Sequence, residues 1–205
     1  MDTKKLNPKK SLIANPRGSI DSKLTQKAML LSYQFDYGVN FEDRIIKLTG
    51  EINAEMFDLV DTALTELENL GKKDITIKIN SPGGEAYQAM AIVGRMAESK
   101  CKIVTKGYGM VMSAATIILA AGTRRREMSR FGQFMWHECS YEIDGRHSHI
   151  KDAAVQVDLE ERFWAKSMAK FTKKTAKFLL EQGVRKDANF SPEQLLKLGV
   201  VDGIF

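Results

Sequence analysis

Apolar and polar positions begin to recur with a definite period near Arg44. The run RIIKL, Arg44 to Leu48, predicts a short strand closed by a turn at Gly50. In AEMFDLVDTALTELENLG, Met56, Leu59, Val60, Ala63, Leu64, Leu67 and Leu70 share one helical face, and Gly71 ends the helix. Ile75, Ile77 and Ile79 then alternate with Thr76, Lys78 and Asn80, a strand that SPGG breaks. EAYQAMAIVGRMAES returns to helical spacing, with Ala86, Met90, Val93 and Ala97 aligned. KIVTKGYG predicts a strand and a glycine turn. SAATIILAAG is apolar almost all round, as a helix buried on every side is, and Gly122 ends it. A strand near Phe134–Trp136 precedes a long helix from about His149 to Gln182, stopped by Gly183. SPEQLLKLG predicts a short helix with Ser191 as N-cap, Pro192 at the first position and Gln194 closing a capping box. Strand–helix units in this order predict an α/β domain with mostly parallel pairing.

Composition narrows the picture. The chain has 205 residues, 43% of them hydrophobic, which is enough for a sizeable core. No apolar run is as long as a membrane span, and the opening MDTKKLNPKKSLIANPRGS lacks the apolar middle of a signal peptide. A soluble cytoplasmic protein, with no membrane contact, is expected. The net charge of +5 is not a nucleic-acid signature. Residues 1–40 carry +4 of it, from seven Lys/Arg against Asp2, Asp21 and Asp36, so the rest of the chain is nearly neutral. These residues hold Pro8 and Pro16 and little periodicity, and are expected to form a basic, flexible extension before a domain at 41–205. The run Arg124, Arg125, Arg126 has no interleaved aromatic residues of the kind that bind single strands. Cys101 and Cys139 are too few for a disulfide scaffold or a zinc site, and no cofactor is expected.

Four segments carry candidate chemistry. Asn80-Ser81-Pro82-Gly83-Gly84 closes a strand with adjacent glycines, whose amides can approach a ligand and stabilise an oxyanion. Ser113 begins the buried helix, near free amides that suit a nucleophile with a developing negative oxygen. His137 ends the apolar run FMW, a shielded position for a general base, whereas His147 and His149 lie in the polar stretch DGRHSHIKD. Asp187 precedes the last capped helix and could orient an imidazole. Taken singly, each has a plainer account: a strand-to-helix turn, an N-cap serine, a structural histidine, a solvated aspartate.

Order and spacing change that balance. RIIKLTGEI, DITIKINSPGG, GYGMVMSAATIILAAG, FMWHE and KDANFSPEQLLKLGVVDGI together resemble the ClpP family, over residues 44–204. The resemblance implies a crotonase-like α/β fold of repeated strand–strand–helix units, with the long helix as a protruding handle. It implies a serine endopeptidase in which Ser113 is the nucleophile, His137 the general base and Asp187 the imidazole orienter. The backbone N–H groups of Gly84 and Ala114 would form the oxyanion hole. It also implies a homo-oligomer of heptameric rings that stack, fed with unfolded polypeptides by a Clp-type ATPase unfoldase.

Departures from the family pattern suit a divergent member, of the kind a phage encodes. Val111 and Met112 replace the small residues before the serine, Glu138-Cys139 replaces Gln-Pro after the histidine, and SYEIDGRHSHI replaces a glycine-rich segment. Alternative readings are a catalytically inactive chamber subunit, an acyl-CoA hydratase or isomerase, a serine–lysine peptidase using Lys102 or Lys106, and a phage structural or scaffold-processing protein.

Overall fold

A computed structural model of the chain describes residues 20–183 and 187–205. Helix α1 (Ile20–Tyr37) leads into β1 (Val39–Asn40) and β2 (Ile45–Ile52). Three strand–helix alternations follow: α2 (Ala54–Asn69), β3 (Ile75–Gly84), α3 (Ala86–Glu98), β4 (Ile103–Met112) and α4 (Ala115–Ala120). Two short strands, β5 (Arg125–Met128) and β6 (Gln133–Trp136), precede α5 (His147–Ala169) and α6 (Ala176–Gly183). The chain closes with β7 (Ala188–Phe190), α7 (Pro192–Leu198) and β8 (Gly203–Ile204). This is the expected mixed α/β architecture. One sheet runs β1-β2-β3-β4-β5-β8, parallel from β2 onward.

The sheet branches at β4. Val104–Gly107 pairs with β5, whereas Met110–Met112 pairs with β6, which in turn carries β7 antiparallel. A bulge makes the branch. Ile79 pairs with Gly107 and Ser81 with Val111, so three residues of β4 stand against Asn80 alone. The Asn80 Oδ1 replaces the missing ladder acceptor, taking the Met110 N–H at 3.0 Å. Gly109, at φ +42°, lets that side chain in, since a Cβ there would come within 2.5 Å of Asn80 Oδ1.

The inward residues of β2, β3 and β4, among them Ile46, Leu48, Ile75, Ile77, Ile79 and Ile103, form one buried cluster with Leu64 and Leu67 of α2, Ile92 and Met96 of α3 and Ile117 to Leu119 of α4. Burying such aliphatic side chains contributes about 1.5–3 kcal/mol each. Arg44 is buried with them, at φ +56°. Its guanidinium donates to the carbonyls of Leu67, Gly71, Lys73 and Asp74 and to Cys101 Sγ. A cation at those carbonyls is also favoured by the C-terminal dipole of α2, and the Cys101 thiol donates to the Gly71 carbonyl at 3.2 Å.

The structure corrects several boundaries. SPGG does not end the third strand: Gly83 and Gly84 still pair with Glu51 and Ile52. Pro82, which has no N–H for a ladder, falls at the register shift and has no strand partner. Likewise β2 passes through Gly50, at φ +95°, and on to Ile52. The long helix is two helices. Lys173 N–H turns to Leu198 O (2.9 Å), and the Thr175 hydroxyl then caps α6 by accepting the Phe178 N–H (3.2 Å). Apolar spacing continues across that break, so periodicity does not reveal it. Residues 1–19 of the expected extension lie outside the described residues. Within its remainder, residues 20–37 are helical and Val39 is fully buried against the domain.

Candidate active site

Ser113 is the first residue after β4 and has φ +51°, a left-handed value shared among non-glycine residues only with Arg44 in the described chain. A strand, one left-handed residue and a helix make a sharp elbow that presents the side chain at its apex. The expected helix of ten residues is shorter, with α4 spanning Ala115–Ala120. Ser113 therefore stands before the helix rather than in it, and so short a helix has little macrodipole to offer. The backbone is held on both sides. The Ser113 N–H donates to Met135 O at 2.9 Å, and its carbonyl accepts from the Thr116 N–H at 3.0 Å.

The branch of the sheet carries the other two candidates to the same end. β6 pairs with β4 up to Met112↔Met135, so His137, just past β6, lies beside the serine elbow. β6 pairs with β7 through Trp136↔Ala188. Continuing that antiparallel register by one residue sets His137 opposite Asp187. His137 is half-buried and Asp187 exposed. Among the described residues no side-chain hydrogen bond joins the Ser113 hydroxyl, the His137 imidazole and the Asp187 carboxylate; catalytic hydrogen bonds often tighten only with substrate bound. His147 and His149 lie in the exposed first turn of α5, and, among the described residues, no group of three or more His, Cys, Asp or Glu side chains is gathered to hold a metal ion.

A cavity of about 610 Å³ opens beside the elbow. Ser113, Ala114, His137 and Gly84 line it together, so the two residues whose amides are the oxyanion candidates border the same space as the serine and histidine. Its far wall is made by Trp164 and Glu160 of α5 and by Tyr141 and Cys139 of the segment between β6 and α5. The Tyr141 hydroxyl donates to Glu160 Oε2 at 2.7 Å, and the phenols of Tyr87 and Tyr141 hold the Glu160 carboxyl below its ordinary pKa. Burial pushes the Cys139 thiol up, so at neutral pH it is a protonated thiol and a poor nucleophile. Burial also raises the Glu161 carboxyl, and the neighbouring charges of Glu138 and Asp158 act the same way.

The sequence reading missed this far wall. Tyr141, Glu160 and Trp164 reach the cavity through the placement of α5 across the end of β6, a long-range packing relation with no local sign. Gly83 was named in that reading only as part of the Asn80–Gly84 turn; its close approach to Ser113 comes from the packing of β3 against the elbow.

The sequence model of the Clp protease family matches residues 32–205. The chain is 30% identical over 164 residues to the ATP-dependent Clp protease proteolytic subunit 1 of Corynebacterium jeikeium, covering 79% of this chain and 87% of that protein. It is 30% identical over 173 residues to proteolytic subunit 3 of Nocardia farcinica, covering 82% and 78%. Proteolytic subunit 1 of Rhodococcus jostii is 29% identical over 171 residues, covering 82% and 77%. No helix among the described residues is long and apolar enough to cross a membrane. With its mixed α/β fold, the chain belongs to the Clp protease family and is a Clp-type protease subunit.

Proposed function

We propose that this subunit is a serine endopeptidase acting through Ser113, His137 and Asp187. The observation that carries the reading is the convergence of β4, β6 and β7, whose pairing ends at one edge next to those three residues and one cavity. Ser113 Oγ attacks the peptide carbonyl carbon while the imidazole of His137 takes its proton. The Asp187 carboxylate holds the imidazole tautomer and stabilises the imidazolium. The Gly84 and Ala114 amides receive the tetrahedral oxygen. His137 returns the proton to the departing amine, and water, deprotonated in turn by His137, releases the acyl group. The relatives' names include ATP dependence, which supports a partnership with a Clp-type ATPase that delivers unfolded polypeptide to an oligomeric chamber of heptameric rings. A chamber of that kind admits only unfolded chains, so access rather than the cavity alone sets selectivity.

The test is labelling of the assembled protein by a fluorophosphonate. Wild type is expected to label, and Ser113→Ala is not. An assembled wild type that neither labels nor hydrolyses an unfolded substrate defeats the reading and leaves a catalytically inactive chamber subunit.

A further inference from the structure

Thr116 is polar yet fully buried, one residue into α4. Its hydroxyl donates to the Ser113 carbonyl oxygen at 2.5 Å, and its own N–H donates to that same oxygen at 3.0 Å. The turn needs only the second of these bonds. The first is a clamp on one peptide unit.

That unit has two ends. The Ser113 carbonyl and the Ala114 N–H belong to the same planar, trans peptide, and in such a peptide they point in opposite directions. Whatever grips the oxygen therefore aims the amide. Ser113 sits at φ +51°, a conformation that costs a side-chain-bearing residue about 1–2 kcal/mol. Rotation of the following peptide toward a relaxed geometry is thus locally favoured unless something opposes it. The peptide before Ser113 is already held, because its N–H is bonded to Met135 O. Among the described residues, the hydrogen bonds that hold the peptide after it come from Thr116 alone, through two donors.

We propose that Thr116 is a positioning residue: by gripping the Ser113 carbonyl, its hydroxyl keeps the Ala114 N–H turned into the cavity, where that amide receives the developing oxyanion. The inference rests on the serine-endopeptidase reading above. It assigns the hydroxyl a task that matters more in the transition state than in the bound substrate, because only the transition state places full negative charge on the oxygen.

The experiment compares Thr116→Val, which keeps the shape and loses the donor, with Thr116→Ser, which keeps the donor. Steady-state hydrolysis of a fluorogenic peptide is measured on assembled protein, with thermal unfolding and native mass as controls. Loss of an entire oxyanion donor lowers kcat by about 10²–10³-fold, so a misaimed one is expected to lower it roughly tenfold or more. KM is expected to stay within about twofold in Thr116→Val, and Thr116→Ser is expected to keep most of the wild-type kcat. A Thr116→Val enzyme with wild-type kcat overturns the proposal. So does a Thr116→Ser enzyme that falls as far as the valine variant, which would mark a packing role. If Thr116→Val does not assemble, Thr116→Ala against Thr116→Ser is read by the same two criteria. An inactive, unlabelled wild type defeats the serine-endopeptidase reading instead, so the two failures are distinguishable.

Discussion

A β-carbon placed on Gly83 would stand 2.6 Å from the β-carbon of Ser113 and 2.7 Å from the Met112 carbonyl oxygen. Unbonded carbons rest about 3.5–4.0 Å apart. The end of β3 and the serine elbow therefore touch backbone to side chain, with no room for any residue but glycine between them. Gly83 also has φ +101°, which only glycine adopts readily.

Gly83→Ala is accordingly expected to displace the elbow. Peptide hydrolysis should fall at least tenfold, since an ångström-scale misplacement of reacting groups costs about 10²-fold. The strain should lower stability by about 1–3 kcal/mol. Hydrolysis rates and thermal unfolding on the same preparation check both, and an alanine variant of full activity would contradict the contact.

His137→Ala is expected to cost about four powers of ten in kcat, by the behaviour of triads in general, with assembly unchanged. Asp187→Asn should fall steeply as well, since it leaves the imidazole without a charge to orient it. His147→Ala and His149→Ala, exposed on α5, should retain wild-type rates. Hydrolysis assays on oligomers matched by native mass decide the matter. Full activity in His137→Ala would point to the serine–lysine alternative.

Arg44→Met keeps the stem of the side chain and removes every donor. The carbonyls of Leu67 and Lys73 would lose the guanidinium donor where α2 ends and the chain turns into β3, and that of Gly71 would keep only the Cys101 thiol. A loss of about 2–4 kcal/mol is expected, because charged donors contribute more than neutral ones and buried acceptors left alone carry a desolvation cost. Urea unfolding followed by circular dichroism measures it, and a change below about 1 kcal/mol would mean that water replaces the guanidinium there.

Asp202 gives a pH dependence of known sign. Hydrogen bonds from Arg126 hold its carboxyl below the ordinary value: Arg126 Nη2 to Oδ1 at 2.6 Å, and both Nε (3.0 Å) and the backbone N–H (2.9 Å) to Oδ2. A folded pKa below the unfolded one means that the unfolded chain takes up its proton first as pH falls. The contribution is therefore complete above the unfolded value, about 3.9, and is lost as pH drops through the lower folded one. Glu127, held low by Lys106 and Arg125, contributes with the same sign. Asp202→Asn should be less stable than wild type at pH 7, and the difference should shrink toward pH 3. Melting temperatures across that range test it, and a constant difference would remove Asp202 from the acid limb.

Much of this was legible in the chain. Ile75, Ile77 and Ile79 marked a strand because alternate side chains face opposite sides of a sheet, and the buried–exposed alternation of β3 repeats that pattern. Ser191, Pro192 and Gln194 marked α7 because capping chemistry is local; the structure has the full capping box, and a left-handed Gly199 ends the helix. Less was legible where structure depends on distant partners. β7 and β8, three and two residues long, are strands only because β6 and β5 lie beside them. The gap between α5 and α6 keeps helical spacing and is made by Leu198, far along the chain.

The order of residues alone determined which elements form and which side chains are candidates for chemistry, because hydrophobic period, capping and glycine placement act over a few residues. Only the tertiary structure decided that Ser113 and His137 line one cavity and that the β6–β7 ladder ends one residue short of His137 and Asp187. That depends on the bulge opposite Asn80, which turns the end of β4 from β5 to β6 and so brings the His137 and Asp187 strands to the serine. A branch of this kind is set by hydrogen bonds between segments some 20 to 60 residues apart, and no local pattern encodes it.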